Sequence, residues 1–168
     1  MNQLYRRVQK VREKYMDTLA KLYDYGTATY GKKQYTQWYD TTEGGYTFFS
    51  FKEKCDSLSK KLTQYGIGAG DKVAILSQSM PNWSVAFFSL VPFGRIAIPI
   101  LPDSSENEVT NILNHSESKV IFVSQKLASK LSQECRDKMT LVIDMDTFEV
   151  IKSDDEKFTC DGKTAVPT

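Results

Sequence analysis

The chain has 168 residues and a mass of 19.1 kDa, and 40% of its residues are hydrophobic, enough for one domain with a core and too many for wholesale disorder. Its 22 basic residues against 21 acidic ones leave a net charge of +1, which excludes a globally basic nucleic-acid binder and an acidic-tail protein. One histidine and three scattered cysteines (Cys55, Cys135, Cys160), with no CxxC, exclude zinc-ligand spacing and a disulfide framework and point to a reducing compartment.

No signal peptide is expected, because residues 1–11 carry arginines but no apolar run. Leu4, Val8, Val11, Tyr15, Leu19 and Leu22 recur at spacings of three and four, which predicts an amphipathic helix over residues 3–23 docked by that stripe and ended by Gly26. Residues 27–45 read as an irregular arm rich in tyrosine. Residues 1–40 hold eight Lys/Arg against four Asp/Glu, a net +4 that reads as a solvated helix face rather than a nucleic-acid surface.

From Tyr46 the pattern alternates between strand and helix. Residues 46–49 read as a strand. Ser50 with Glu53 forms a capping box that opens a helix buried through Phe51, Cys55, Leu58, Leu62 and Tyr65 and ended by Gly66. Residues 73–76 read as a strand, followed by a helix from Pro81 to about Phe93 with Ser79 as its cap. Ile96–Ile100 reads as a strand. A second capping box, Ser105 with Glu108, precedes Val109, Ile112 and Leu113. Val120–Val123 reads as a strand, residues 125–135 as a helix buried through Leu127, Leu131 and Cys135, and Leu141–Asp144 as the last strand. The strands are unbroken apolar runs, VAIL, IAIPI, VIFV and LVID, the pattern of strands covered on both faces. The fold class is therefore α/β: a layered domain with a mostly parallel sheet flanked by helices, preceded by an N-terminal amphipathic helix. Three segments are expected: the helix and tyrosine-rich arm (1–45), the α/β body (46–144) and an acidic linker or truncated edge (145–168). In residues 144–161 seven acids against two lysines leave a net −5.

Residues 83–101 are apolar enough to suggest a membrane span, but Arg95 would cost roughly 2.5–3.5 kcal/mol at mid-bilayer, and Pro92, Gly94 and Pro99 break the run. The run reads instead as helix, turn and strand, with Arg95 at the sheet edge, its guanidinium in water or paired with a carboxylate. His115 reads as a residue at a helix end and not as a catalytic base. The glycines of Gly66-Ile67-Gly68-Ala69-Gly70 follow a helix and lead into a strand. A dinucleotide loop needs the reverse order, so they read as a helix cap and turn. No GxxxxGK[ST] loop occurs. A response-regulator reading lacks its acid cluster, since among the residues after the strands only Asp103 is acidic. Asp154-Asp155-Glu156 read as a solvated run. No catalytic, cofactor-binding or metal-binding residue is assigned.

The order of segments carries more. Tyr46-Thr47-Phe48-Phe49-Ser50-Phe51-Lys52-Glu53, then Gly66 through Ile75 with its Gly-Asp-Lys-Val-Ala-Ile turn and strand, then Met80-Pro81-Asn82-Trp83, Gly94-Arg95-Ile96-Ala97-Ile98-Pro99 and residues 112–123 with Ser-Glu-Ser-Lys-Val-Ile-Phe-Val resemble the N-terminal portion of adenylate-forming acyl-CoA synthetases. The resemblance is strongest to the long-chain fatty-acid–CoA ligase branch and covers about residues 46–130. Ser79, Asn82 and Gly94-Arg95 depart from the common pattern, at positions the resemblance does not mark as catalytic. It implies a parent enzyme that uses ATP, Mg²⁺ and coenzyme A to activate a fatty acid, with the phosphate loop and the metal-binding acid downstream of this region. The chain would then be an inactive scaffold piece, without cofactor of its own, partnered by the remainder of its polypeptide. A dimer through the surface so exposed is expected to be an artefact. The parent is expected in the cytoplasm, at most peripheral to the inner membrane, with no transmembrane segment and no nucleic-acid partner. The competing reading is a stand-alone α/β binding module.

Overall fold

The computed structural model describes residues 17–37 and 44–153. Helix α1 (Leu19–Tyr30) leads to a short antiparallel pair, β1 (Gln34–Thr36) and β2 (Tyr46–Thr47). Then come α2 (Phe48–Gln64), β3 (Lys72–Leu76), α3 (Pro81–Leu90) with a 3₁₀ turn (Val91–Phe93), β4 (Ile96–Ile100) and α4 (Glu106–Ser116). The chain continues through β5 (Val120–Val123), a 3₁₀ helix (Gln125–Lys130), α5 (Gln133–Lys138), β6 (Leu141–Asp144) and β7 (Val150–Ser153).

The main sheet has the order β4-β3-β5-β6-β7, with β7 alone antiparallel. Successive strand side chains point to opposite faces. Val73, Ile75, Val120, Phe122, Leu141 and Ile143 meet Phe51, Leu58, Leu62, Val85 and Leu90 of α2 and α3. Ala74, Leu76, Ile121, Val123 and Val142 meet Val109 and Leu113 of α4, and Leu127, Leu131 and Cys135, on the other side. VAIL, VIFV and LVID are thus covered from both sides, as their lack of alternation predicts. IAIPI is not: β4 is the edge strand, Ile96 is 45% exposed and only Ile100 is buried, because no strand pairs its outer side.

Within the described residues, the expected stripe on the first helix is not the docked face. Residues 4, 8, 11 and 15 lie outside the described residues. Within them Thr18 caps the helix, and Leu19 and Leu22 are 40% and 36% exposed. Tyr23 and Thr27 are buried instead. The Tyr23 ring stacks on Phe88 and meets Phe51 edge-on, both at 5.9 Å, while its hydroxyl donates to Asp56 at 2.9 Å. An aromatic with a polar tip buries more area than a leucine and still satisfies its hydroxyl, so it sets the docked face. Gly26 does not stop α1. It sits against Phe48, whose ring lies 3.6 Å from where a Cβ would be, and the helix runs on to Gly31.

The cap of helix α2 lies three residues before the expected one. Thr47 is the N-cap and shares a capping box with Ser50, so residues 48–49 are helical and the strand is only Tyr46–Thr47. The reason is tertiary. The amides of Phe48 and Phe49 donate to Lys33 O (3.0 Å) and Gly31 O (2.7 Å), so the first turn needs fewer local acceptors. Helix α3 begins at Met80 and Pro81, and Ser79 does not cap it. The expected helix over 125–135 is a 3₁₀ segment and a short helix, broken at Leu131 and restarted by a Ser132 cap on Cys135 N. Arg136 holds the break by donating to Leu131 O and Ala128 O. Leu127, Leu131 and Cys135 are buried as predicted. The Ser105–Glu108 box and Gly66, left-handed just past α2, are where the sequence puts them.

Candidate functional site

In doubly wound sheets, ligands collect beyond the carboxyl ends of the parallel strands. Here a cleft of about 650 Å³ opens at the ends of β3 and β4. One wall is the end of β4 with the residues after it, Pro99 to Pro102. The other is the β3–α3 loop and the first turn of α3, with Met80, Pro81, Trp83 and Ser84. The end of β1 (Thr36, Gln37) closes one side, and Ser77 and Ser79 complete the lining. None of these residues is ionisable. Trp83 is held by a parallel stack on Phe87 at 5.4 Å.

The serine hydroxyls near the cleft turn back on the backbone: Ser77 donates to Gln78 O and Ser84 to Pro81 O, both at 2.9 Å. The hydroxyl oxygen of Thr36 is buried without a hydrogen-bond partner among the described residues. Leu101 is 70% exposed beside Ile100, which is buried.

The adjoining switch point, between β3 and β5, carries several polar side-chain contacts. Ser124, fully buried, donates to Gln78 Oε1 at 2.8 Å. Gln125 donates from its side chain to Asp144 (2.7 Å) and from its amide to Asp146 (2.8 Å). Asn82 donates to Met145 O and Asp146 O and accepts from Tyr46 Oη at 2.6 Å, tying α3 to β2 and to the β6–β7 turn. This gives Asn82 a structural task.

The glycine turn after α2 is a structural joint. Gly66 N donates to Thr63 O, Ile67 N to Leu62 O, Gly70 N to Gly94 O and Gly68 N to the Asp71 carboxylate. Its amides are spent inside the fold, and they follow a helix instead of opening one, so they form no phosphate cradle. Among the described residues no three His, Cys, Asp or Glu side chains cluster for a metal. His115 lies in the last turn of α4, where the sequence reading puts it. Cys160 and Asp154-Asp155-Glu156 lie outside the described residues.

Arg95 is where the sequence reading fails. It precedes the edge strand β4, yet it is buried, 5% exposed, and among the described residues makes no ion pair. Its guanidinium donates to Ser59 Oγ (2.8 Å), Ser59 O (3.1 Å), Thr63 Oγ1 (2.8 Å), Ile67 O (2.8 Å) and Ser89 O (3.3 Å). Helix α2's last turns and the turn after them supply enough neutral oxygens to replace the water lost, an environment from which an edge position alone could not be told apart. Burial pushes the Arg95 pKa down.

The sequence reading named no cleft residue. The Ser-Gln pairs that end two apolar strands, Ser77-Gln78 and Ser124-Gln125, were the available signal for a polar rim. Trp83 and Leu101 carried none, because their grouping depends on strand register.

Residues 25–167 match the AMP-binding enzyme family. Fatty acyl-CoA synthetase A of Dictyostelium discoideum is 24% identical over 95 residues, 55% of this chain and 14% of that protein. 4-coumarate–CoA ligase 2 of Oryza sativa subsp. japonica is 29% identical over 119 residues, 70% of this chain and 21% of that protein. A Mycobacterium tuberculosis fatty acyl CoA synthetase superposes with a TM-score of 0.68 at 22% identity, over 79% of this chain and 27% of that one, a likeness of fold. The chain spans between 14 and 21% of the length of these two curated relatives.

Proposed function

The chain belongs to the AMP-binding enzyme family, and on that premise we propose that it is the N-terminal part of a fatty acyl-CoA synthetase. The whole enzyme would join a fatty acid to ATP with Mg²⁺, forming an acyl-adenylate, and then pass the acyl group to the thiol of coenzyme A. Attack on the α-phosphate is limited by charge, so donors and a metal must neutralise the phosphate oxygens. The described residues offer no such group, and their part is to hold one sheet and the uncharged cleft at its carboxyl edge. The observation that carries this reading is the family match over nearly the whole α/β body, together with the β4-β3-β5-β6 parallel order. The names of the relatives span fatty and aromatic acids, and we favour the fatty acid because the cleft is apolar and free of ionisable groups. The remainder of the polypeptide is the natural partner of this piece. We extend the reading to a cytoplasmic enzyme, at most peripheral to a membrane; no helix among the described residues is long and apolar enough to cross one.

Two steps test this. The gene is read past Thr168 for a Ser/Thr/Gly-rich loop with a lysine, and the full polypeptide is assayed for fatty-acid-dependent exchange of pyrophosphate into ATP. Exchange with dodecanoate, followed by acyl-CoA on addition of coenzyme A, is the expected result. A gene that stops at Thr168, or a full polypeptide silent with every fatty acid tried, overturns it.

A further inference from the structure

We propose that the polar cavity between helix α2 and the β6–β7 turn is a binding site for a phosphoryl dianion, free or as the head of a small phosphate monoester. The cavity holds about 210 Å³, and its walls include Lys54, Ser57 and Lys61 of α2 and Thr147, Phe148 and Glu149 of the turn. It shares no residue with the cleft at β3 and β4, so the phosphoryl group it takes is not the reacting one. Its volume lies below the roughly 300–1,000 Å³ usual for small-molecule sites, which suits one phosphoryl group and not a whole nucleotide.

Two cations line this space without a counter-ion. Lys54, Ser57 and Lys61 recur at i, i+3 and i+7 on one face of α2, which sets the two lysines about 10 Å apart along its axis. Neither lysine makes an ion pair among the described residues. Lys61 Nζ donates to Phe148 O at 2.9 Å, which leaves two of the three ammonium hydrogens for a ligand. Lys54 Nζ meets the Phe148 ring, 5.7 Å from its centroid. Burial pushes the Lys61 pKa down; Glu149 opposes the shift and Lys54 adds to it, as like charges near each other must. Two lysines against one glutamate leave the lining a net +1.

The turn forms a fixed second wall. Phe148 takes a left-handed backbone, φ 61°, uncommon for a bulky side chain. Its ring is buried edge-on to Phe122 at 6.2 Å, and its carbonyl oxygen meets Lys61. Thr147 Oγ1 accepts from Glu149 N at 3.1 Å, so its own hydrogen remains for a ligand oxygen. The Ser57 hydroxyl makes no hydrogen bond among the described residues. Two ammonium groups and two hydroxyls thus offer donors from both walls, and a tetrahedral dianion has enough acceptors to take them up together. Chloride, a single charge, gains less there.

The test follows amide chemical shifts of the 168-residue chain by NMR during titration with sodium phosphate, with sodium chloride holding the ionic strength constant. The amides of Ser57, Thr147, Phe148 and Glu149 should shift saturably, with a Kd of roughly 1 mM, since half-exposed charges are partly screened. Glycerol 3-phosphate is titrated beside it. Tighter binding of the ester identifies a monoester as the source, and tighter binding of inorganic phosphate identifies the free ion; either supports the site. Lys54→Met removes a cation that makes no hydrogen bond in the fold, so the unfolding midpoint should stay unchanged while phosphate binding weakens about fivefold. Glu149→Gln removes the repelling carboxylate and should tighten phosphate about threefold. The proposal is overturned if these amides follow chloride as they follow phosphate, if Lys54→Met binds as well as the parent, or if Glu149→Gln binds no better.

Discussion

At the scale of single residues, Arg95 shows how a charge is carried into a core on neutral hydrogen-bond acceptors, with no ion pair among the described residues and only the nearby charge of Asp71. Five neutral oxygens surround one guanidinium, and three of them belong to the last turns of α2. Each hydrogen bond to a charged group contributes roughly 1.5–3 kcal/mol, and removing the donor strands several buried acceptors at once. Arg95→Met should therefore lower the urea unfolding free energy by about 3 kcal/mol, and Arg95→Lys by about 2 kcal/mol, since an ammonium cannot span the same fork of acceptors. An Arg95→Lys variant as stable as the parent would show that the charge matters and the planar geometry does not.

A second residue-level expectation concerns alkaline pH. Burial pushes the Cys55 thiol up from 9.0 to about 12, and burial also raises Tyr23 above its usual 10.0. Below pH 9 both folded and unfolded chains keep these protons, and the stabilisation is fully present. Above it the unfolded chain releases first, so stability falls with rising pH, by roughly 1.4 kcal/mol per pH unit for each proton involved. Denaturant titrations between pH 8 and 11 should show this decline starting near pH 9, and Cys55→Ala should remove the thiol's share of the slope. A flat profile over that interval would contradict the burial of both groups.

At the scale of elements, the helix starts are set by what their amides can reach. Thr47 caps α2 because β2 and the turn after α1 hold it there, and Ser50 completes the box from the third helical position. Thr47→Ala should cost about 1 kcal/mol. Ser79→Ala should cost almost nothing, because α3 opens at Pro81, whose missing N–H needs no cap. Equal losses at the two positions in thermal unfolding would show that Ser79 supports the α3 start after all. The first helix follows the same logic. Its leucine periodicity is real, but within the described residues the face that docks is the one where Tyr23 finds both an aromatic cluster and Asp56.

At the scale of the whole molecule, a doubly covered sheet carries two separate devices at its carboxyl edge. One is the pair of side-chain hydrogen bonds Ser124–Gln78 and Gln125–Asp144. The other is the open, uncharged cleft beside it. Neither presents consecutive free amides or a metal-binding set, and the glycine turn, at the far end of β3, uses its amides to join α2 to β3 and β4. Calorimetric titration of the 168-residue chain with ATP and Mg²⁺ should accordingly give no saturable heat at micromolar concentrations. Saturable micromolar binding would reveal a nucleotide site outside the residues described.

Legibility in the sequence divided along the reach of each signal. The runs VAIL, VIFV and LVID required cover on both faces whatever their partners, because each buries side chains on both sides of the pleat; the doubly covered parallel sheet follows from that alone. The Ser105–Glu108 box and the Gly66 stop were legible because a cap and its helix lie within one turn of each other. The ordered segments from Tyr46 to Val123 pointed to the family, since their spacing reflects the order of the strands and turns they build. Three things were decided only in the tertiary structure: the early start of α2, the burial of Arg95 and the existence of the cleft. Each depends on atoms 6 to 65 residues apart in the chain, such as Arg95 with Ser89 and Ser59, or Thr36 with Leu101. A local pattern states which residues must be hidden or capped, but not which distant oxygen or methyl group will meet them, because that is set by strand register and by how the helices settle on the sheet.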